Sequence, residues 1–285
     1  MKRHSHLLFS LCLVLLTGVR AATPGDSPQV LPLRPYIVAG WRLLEMNVNG
    51  VSGQFVFDTA GGLTLITPEF ARALGLKPAG QVTGFRHTGE RIIFPLIPVQ
   101  AVSVGGRTLA RNEVAQFDLM KLLEGAPPLQ GIVGLDLFDG TALTIDFGGD
   151  RVIAETDSSL AARVRDMQPV QIRPARGSGG ASLDIFMAAA SPQGTLWLEL
   201  DSGNAGPVLL SPHAAEQLGI KPGDQPAATT LHLPPATGYA CTVSVKETIY
   251  DGLIDAAFFN QHVVTLDLKN MRAWIKRNEP APQTR

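Results

Sequence analysis

The chain holds little cysteine: Cys12 and Cys241 are the only two among its 285 residues. Cys12 falls inside an apolar run from Leu7 to Leu16, behind Lys2 and Arg3 and ahead of Val19-Arg20-Ala21. That arrangement reads as an export signal peptide cleaved after Ala21, with an apolar stretch too short to span a bilayer. No small-residue lipobox precedes Cys12, so a membrane anchor is not expected and the chain is expected to be periplasmic or secreted. Cleavage leaves Cys241 alone, which excludes an intramolecular disulfide. Charge is also scarce, at 17% of residues with a formal net charge of −1. Loss of Lys2, Arg3 and Arg20 with the leader takes that charge to −4. So mild an acidity offers no electrostatic basis for nucleic acid or an anionic membrane. The histidines His87, His213, His232 and His262 show no metal-ligand spacing and read as surface or loop residues, and no metal or organic cofactor is expected. Gly61-Gly62 and Gly148-Gly149 open no helix in a phosphate-loop pattern and read as turns. The fold must therefore rest on its apolar core, which a chain of this length can supply.

What the chain does have is a repeat. An apolar run ends in an aspartate and a small hydroxyl residue twice: Gln54-Phe55-Val56-Phe57-Asp58-Thr59-Ala60-Gly61-Gly62, and Leu196-Trp197-Leu198-Glu199-Leu200-Asp201-Ser202-Gly203-Asn204. After the first come Leu65-Ile66-Thr67-Pro68 and Phe70-Ala71-Arg72-Ala73-Leu74-Gly75; after the second, Leu209-Leu210-Ser211-Pro212 and Ala214-Ala215-Glu216-Gln217-Leu218-Gly219. Both read as strand, hydroxyl N-cap, proline at the first helical position, short helix and glycine stop. A third pair of blocks is Gly131-Ile132-Val133-Gly134 before Leu143 to Phe147, and Gly252-Leu253-Ile254-Asp255 before Val264 to Leu268. Three matched blocks in one order argue for duplication.

On these residues the chain resembles the bacterial retropepsin-like aspartyl proteases, as two retropepsin-type units in tandem from about Leu43 to Lys276. The resemblance implies a mainly β, bilobal acid-protease-like fold with two pseudo-symmetric closed β-barrel-like lobes, each carrying a short helix. The lobes are expected at residues 36–156 and 182–278 around a linker at 157–181, whose Pro174 and Gly-Ser-Gly-Gly run suit a connector. It further implies that one molecule completes its site as an internal pseudo-dimer and hydrolyses peptide bonds in peptides or proteins. A rival is an inactive module that binds extended peptides in the same cleft; a second rival is self-association of each lobe.

Elsewhere the pattern reads mostly as strand. Leu43–Val48 and Gln54–Phe57 flank Asn49-Gly50, a strong hairpin signal. Ile92 to Val104 is broken by Pro95 and Pro98 and suits edge strands. Val114 to Glu124 reads as a helix, and Asp146 and Asp267 read as solvent-facing residues of alternating strands.

Asp58 and Asp201 are the candidate catalytic pair. Two adjacent carboxylates cannot both ionise, so they hold one proton between them; the ionised member can activate water while the protonated one donates to the scissile carbonyl. Thr59 and Ser202 suit the family's cross-bracing of the two turns, and the turn residues Ala60, Gly61 and Gly203 support the pair, glycine letting backbone amides approach the carboxylates. Ala60 departs from the family's glycine, and Asp255 stands where Gly134 stands in the first copy, which would strain the turn or add a third carboxylate. Thr83 to Gly89 reads as a hairpin tip, with an ordinary exposed turn as the alternative. Gly84, Phe85 and Gly89 are the flap candidates, and Phe85 is expected to face the cleft. The prolines of Leu233 to Tyr239 suit a rigid loop, so the first unit is expected to carry the working flap.

Overall fold

The computed structural model describes residues 27–278, with the exception of 110, 111, 124, 222, 224, 225 and 236. The expected signal peptide at residues 1–21 lies outside the described residues. The first half of the chain forms β1 (Gln29–Pro35), β2 (Arg42–Val48), β3 (Val51–Phe57), β4 (Leu65–Ile66), helix α1 (Pro68–Ala73), β5 (Gly80–Phe85), β6 (Arg91–Pro98), β7 (Val102–Val104), β8 (Arg107–Leu109), β9 (Glu113–Gln116), β10 (Gly131–Val133), β11 (Ala142–Asp146) and β12 (Arg151–Glu155). The second half forms α2 (Asp157–Arg163), β13 (Gln168–Val170), β14 (Ile172–Ala175), β15 (Asp184–Ser191), β16 (Gly194–Leu200), β17 (Val208–Leu210), α3 (Pro212–Gln217), β18 (Ala227–Leu233), β19 (Thr237–Val245), β20 (Gly252–Ile254), α4 (Ala256–Gln261), β21 (His262–Asp267) and β22 (Arg272–Arg277).

The local signals act as their chemistry dictates. Asn49 and Gly50 take positive φ, 51° and 89°, and close the two-residue β2–β3 turn. Thr67 and Ser211 cap α1 and α3, accepting from the Phe70 and Ala214 amides at 3.3 and 3.1 Å, with Pro68 and Pro212 leading each helix. Alternate positions of β3 and β16 face inward, so Phe55 and Phe57 join Leu196, Leu198 and Leu200 in one apolar core. Each such side chain contributes about 1.5–3 kcal/mol by leaving water.

The sheets of the two halves differ, and this corrects the expectation of two closed barrels. In the second half β15, β16, β20, β17, β19 and β18 follow one another, and Ala190 on β15 pairs with His232 on β18 to close the ring. The first half stays open. There the β7–β8 hairpin takes the β2 edge, with Met46 opposite Val104 and Val48 opposite Val102, so the β5–β6 hairpin has no such partner. The expected helix at Val114–Glu124 is instead strand β9 followed by a 3-10 turn at Leu119–Leu122. Ala115 is drawn into the sheet between Leu65 and Leu96. β6 is consequently not an edge strand, since it pairs with β5 and β9. Within residues 157–181 lie α2, β13 and β14, the first held by a capping box between Thr156 and Ser159.

The two halves share a continuous sheet. β11 and β21 run antiparallel side by side, Thr144 opposite Thr265, with their hydroxyl oxygens 2.9 Å apart. Asp146 and Asp267 are buried at the ends of these strands rather than solvent-facing. Each staples its own hairpin, Asp146 to Arg151 at 2.8 Å and Asp267 to Arg272 at 2.7 Å. His262 is likewise buried, stacked on Phe258.

Candidate active site

Each aspartate is set in place by the late glycine block of its own half. β10 runs parallel to β3 and β20 parallel to β16, and the strands end by delivering the Asp58 amide to the Val133 carbonyl (3.0 Å) and the Asp201 amide to the Ile254 carbonyl (3.2 Å). This close approach explains the glycine that opens each block. A Cβ on Gly131 would lie 1.9 Å from the Leu65 carbonyl oxygen, and one on Gly252 2.2 Å from that of Leu209.

The two aspartate turns meet through their hydroxyl residues. Thr59 N–H donates to Ser202 Oγ at 3.0 Å and Ser202 N–H donates to Thr59 Oγ1 at 3.0 Å. The Thr59 hydroxyl donates in turn to the Leu200 carbonyl at 2.5 Å, and the Ser202 hydroxyl to the Phe57 carbonyl at 3.2 Å. Both side chains are buried and fully paired. The network is reciprocal and leaves little freedom for one turn to move against the other.

The bracing brings the carboxyl groups of Asp58 and Asp201 into one cleft of about 710 Å³. Asp58 Oδ1 accepts from the Ala60 amide at 3.0 Å, and Asp201 Oδ1 accepts from the Gly203 and Asn204 amides, both at 2.9 Å. Gly203 also lies directly against Asp58: a Cβ there would sit 2.6 Å from Asp58 Oδ2. At the equivalent place in the first turn, Ala60 adopts no positive φ and its amide still serves its aspartate, so the methyl group is accommodated. Asp255 neither strains the turn nor adds a third carboxylate to the cleft. It caps α4, accepting from the Phe258 amide at 3.1 Å and from the Tyr239 hydroxyl at 2.5 Å.

Burial raises both aspartates above the ordinary carboxylate range. For Asp58 the amides of Ala60, Gly203 and Gly61 oppose that rise. Asp201 is driven well above the range by burial and then by the charge of Asp58, against the pull of the Gly203 and Asn204 amides. A pair in this state holds a proton between its members.

Two further acids line the cleft: Asp184 at the start of β15 and Glu199 on β16. Burial, followed by the charge of Asp58, pushes Asp184 up to about 7, with a weak opposing bond from Ser182 Oγ. Burial, followed by Asp184, Asp201 and Asp58, holds Glu199 well above its usual value. Tyr250 stands nearby, its hydroxyl pushed up to about 12 by burial and then by Glu199 and Asp184. Sequence reasoning missed these residues, although one signal was available. Glu199 is a charge two positions before Asp201, where the first copy has Val56.

The β5–β6 hairpin reaches over the same cleft, which Thr83, Gly84, Phe85, Arg86 and His87 help to line. Phe85 is 60% exposed and faces this space, while Gly89, at φ 84°, makes the turn back into β6. The tip touches the second half at two points. The His87 carbonyl accepts from the Ile249 amide at 2.8 Å, and Gly84 is packed so that a Cβ would lie 3.0 Å from Ser178 Oγ. In the second half the corresponding β18–β19 hairpin is committed to closing the barrel and lies outside the cleft lining. Among the described residues no cluster of histidine, cysteine, aspartate and glutamate is arranged to hold a metal ion.

Residues 44–137 match the family model described as aspartyl protease, a span that includes the Asp58 turn, the β5–β6 hairpin and the first late glycine block. A comparison with curated proteins finds no match to the chain.

Proposed function

We propose that the protein is an aspartic-type endopeptidase in which Asp58 and Asp201 activate a water between them. The observation that carries this reading is the reciprocal Thr59–Ser202 bracing between equivalent positions of the two halves, whose aspartates both line one cleft. The aspartyl protease match over residues 44–137 supports it.

The reaction follows from the protonation state. An extended peptide lies in the cleft as an added strand, with the β5–β6 hairpin above it. The ionised carboxylate takes a proton from the water, whose oxygen attacks the scissile carbonyl carbon, while the protonated carboxyl donates to the carbonyl oxygen. Collapse of the tetrahedral species breaks the C–N bond, and a proton passes from the dyad to the leaving amine. The amides of Ala60, Gly203 and Asn204 hold the two carboxylates in place throughout. One molecule carries both turns, so a monomer with an internal pseudo-dimer suffices.

The test is digestion of a diverse peptide mixture by the purified chain, with Asp58→Asn and Asp201→Asn variants in parallel. Hydrolysis by the wild type and its loss in both variants is expected. Hydrolysis that persists in both variants would place the chemistry elsewhere, and peptide retention without hydrolysis would make the cleft a binding site only.

A further inference from the structure

The two halves present opposite chemistry to the cleft at equivalent positions. Thr59 and Ser202 are 143 residues apart, and the strand register repeats at that interval: Leu43 faces Val56 across β2–β3, and Phe186 faces Glu199 across β15–β16. The same interval carries Trp41 onto Asp184 and Val56 onto Glu199. All four residues line the cleft. Trp41 crosses to the opposite turn, donating its indole N–H to the Gly203 carbonyl at 2.8 Å. Asp184 makes the mirrored crossing, its Oδ1 3.1 Å from where a Cβ on Gly62 would lie. The first half thus offers an indole and an isopropyl group where the second offers two carboxyls.

Glu199 sets this arrangement apart from an incidental acidic patch. It is 4% exposed, it lines the cleft, and among the described residues its side chain accepts no hydrogen bond and forms no ion pair. Its electrostatic neighbours are Asp184, Asp201 and Asp58, all acidic. Its carboxyl opens onto the cleft from an otherwise buried side chain, and a cation delivered there would meet a poorly hydrated, acidic site. An extended peptide sends successive side chains to opposite faces. With its scissile bond at the dyad, between the two halves, the side chains on either side of that bond enter the two equivalent pockets.

We propose that Asp184 and Glu199 form a subsite that recognises a basic side chain, lysine or arginine, on one side of the scissile bond, while Trp41 and Val56 receive an apolar side chain on the other. The proposal rests on the endopeptidase reading for the position of the bond; recognition of the cation itself does not require turnover. Asp184 and Glu199 act here in specificity and take no part in bond breaking.

The test uses hexapeptides that carry a fluorophore and differ only in whether lysine, norleucine or glutamate occupies each position in turn. Binding is measured by anisotropy at about pH 8, above the value of about 7 to which Asp184 is raised, on the Asp58→Asn protein so that no cleavage interferes. At one position lysine is expected to bind at least ~10-fold tighter than norleucine, as for a cation meeting a desolvated carboxylate. Adding Asp184→Asn and Glu199→Gln together should bring that ratio to within ~2-fold, with each single change giving an intermediate value. A thermal melt of every variant verifies its fold, and the single amide changes carry the test if the double one does not fold. Equal binding of lysine and norleucine at all positions, absence of any binding, or a lysine preference that survives the substitutions would overturn the proposal. Wild-type digestion of the same peptides separates the two readings. Cleavage without basic preference removes the subsite and keeps the endopeptidase; a lysine preference in binding without cleavage does the reverse.

Discussion

Thr59 and Ser202 each accept the other's backbone N–H on a side-chain oxygen, both at 3.0 Å, and each sends its own hydroxyl proton to a carbonyl of the opposite strand. Four buried polar groups of the backbone depend on two hydroxyls. Thr59→Val keeps the shape but leaves the Ser202 amide and the Leu200 carbonyl unpaired. At ~1–3 kcal/mol for each buried unsatisfied group, the variant should lose roughly 2–6 kcal/mol in urea denaturation. Thr59→Ser retains the oxygen and should lose far less. Equal stabilities for the two variants would show that the bracing contributes nothing.

The candidate dyad sets stability against activity. Asp201 is half-buried in the cleft it shares with Asp58, and desolvation and the Asp58 charge make its ionised form unfavourable in the folded chain. Asp201→Asn removes the charge and one partner in proton sharing. Peptide turnover should fall by about 10²–10⁴-fold, the usual worth of general acid–base catalysis. The melting temperature at neutral pH should meanwhile stay level or rise. A destabilised but active variant would contradict both halves of this expectation.

Stability should depend on pH with a definite sign. Asp58, Asp184, Glu199 and Asp201 all have folded-state values raised above those of the unfolded chain, Asp184 from 3.8 to about 7. Through that interval the folded state binds more protons, so these groups contribute fully below the unfolded value and the contribution is lost as pH rises toward about 7. Asp267 is shifted the opposite way: burial is outweighed by Asn270 and Arg272, and its contribution is lost as pH falls through its lowered value. The melting temperature should therefore decline as pH rises from about 4 to about 8, and Asp184→Asn should flatten part of the decline. A flat or rising curve in the wild type would refute the assignment.

The hairpin over the cleft can be tested without deleting it. A methyl group at Gly84 would meet the Phe94 ring at 2.9 Å and Ser178 Oγ at 3.0 Å. Gly84→Ala should push the tip away from the second half and raise KM for peptides by roughly 3–10-fold, the range expected when a cover closes less well. Its melting temperature should fall only modestly, because Phe94, although it packs against the Leu63 and Leu65 cluster, is only partly buried and can shift. An unchanged KM would mean that the hairpin does not cover bound peptide.

Much of this structure could be read from short-range chemistry. The Asn49-Gly50 turn, the Thr67-Pro68 and Ser211-Pro212 helix starts and the glycines at 131 and 252 depend on neighbours within a few residues or on one close contact. Strand β9 reads as helix in the sequence because Val114 is its one strand-forming residue, among Glu113, Ala115 and Gln116, and its conformation is decided by Ile97, Leu96 and Leu65 across the sheet. The open edge of the first half is hidden for the same reason, since it turns on β7 pairing with β2 across the sheet. Asp184 and Glu199 escaped notice because each is unremarkable in its own strand. Their meaning appears only when the two copies are superimposed, Trp41 on Asp184 and Val56 on Glu199.

The β11–β21 pairing has a mechanical consequence. With Thr144 opposite Thr265, the cleft's two walls stand on one hydrogen-bonded floor, and prising them apart would tear a ladder. Entry to the cleft is therefore a matter of its roof. Among the described residues the hairpin tip is latched there by one backbone bond, from the Ile249 amide to the His87 carbonyl, and by the packing of Gly84 on Ser178 and of Gly89 on Ile249. On the proposed endopeptidase reading, a rigid floor under a lightly fastened roof would assign admission and chemistry to different parts of the chain, the gate lifting while the two carboxylates keep their places.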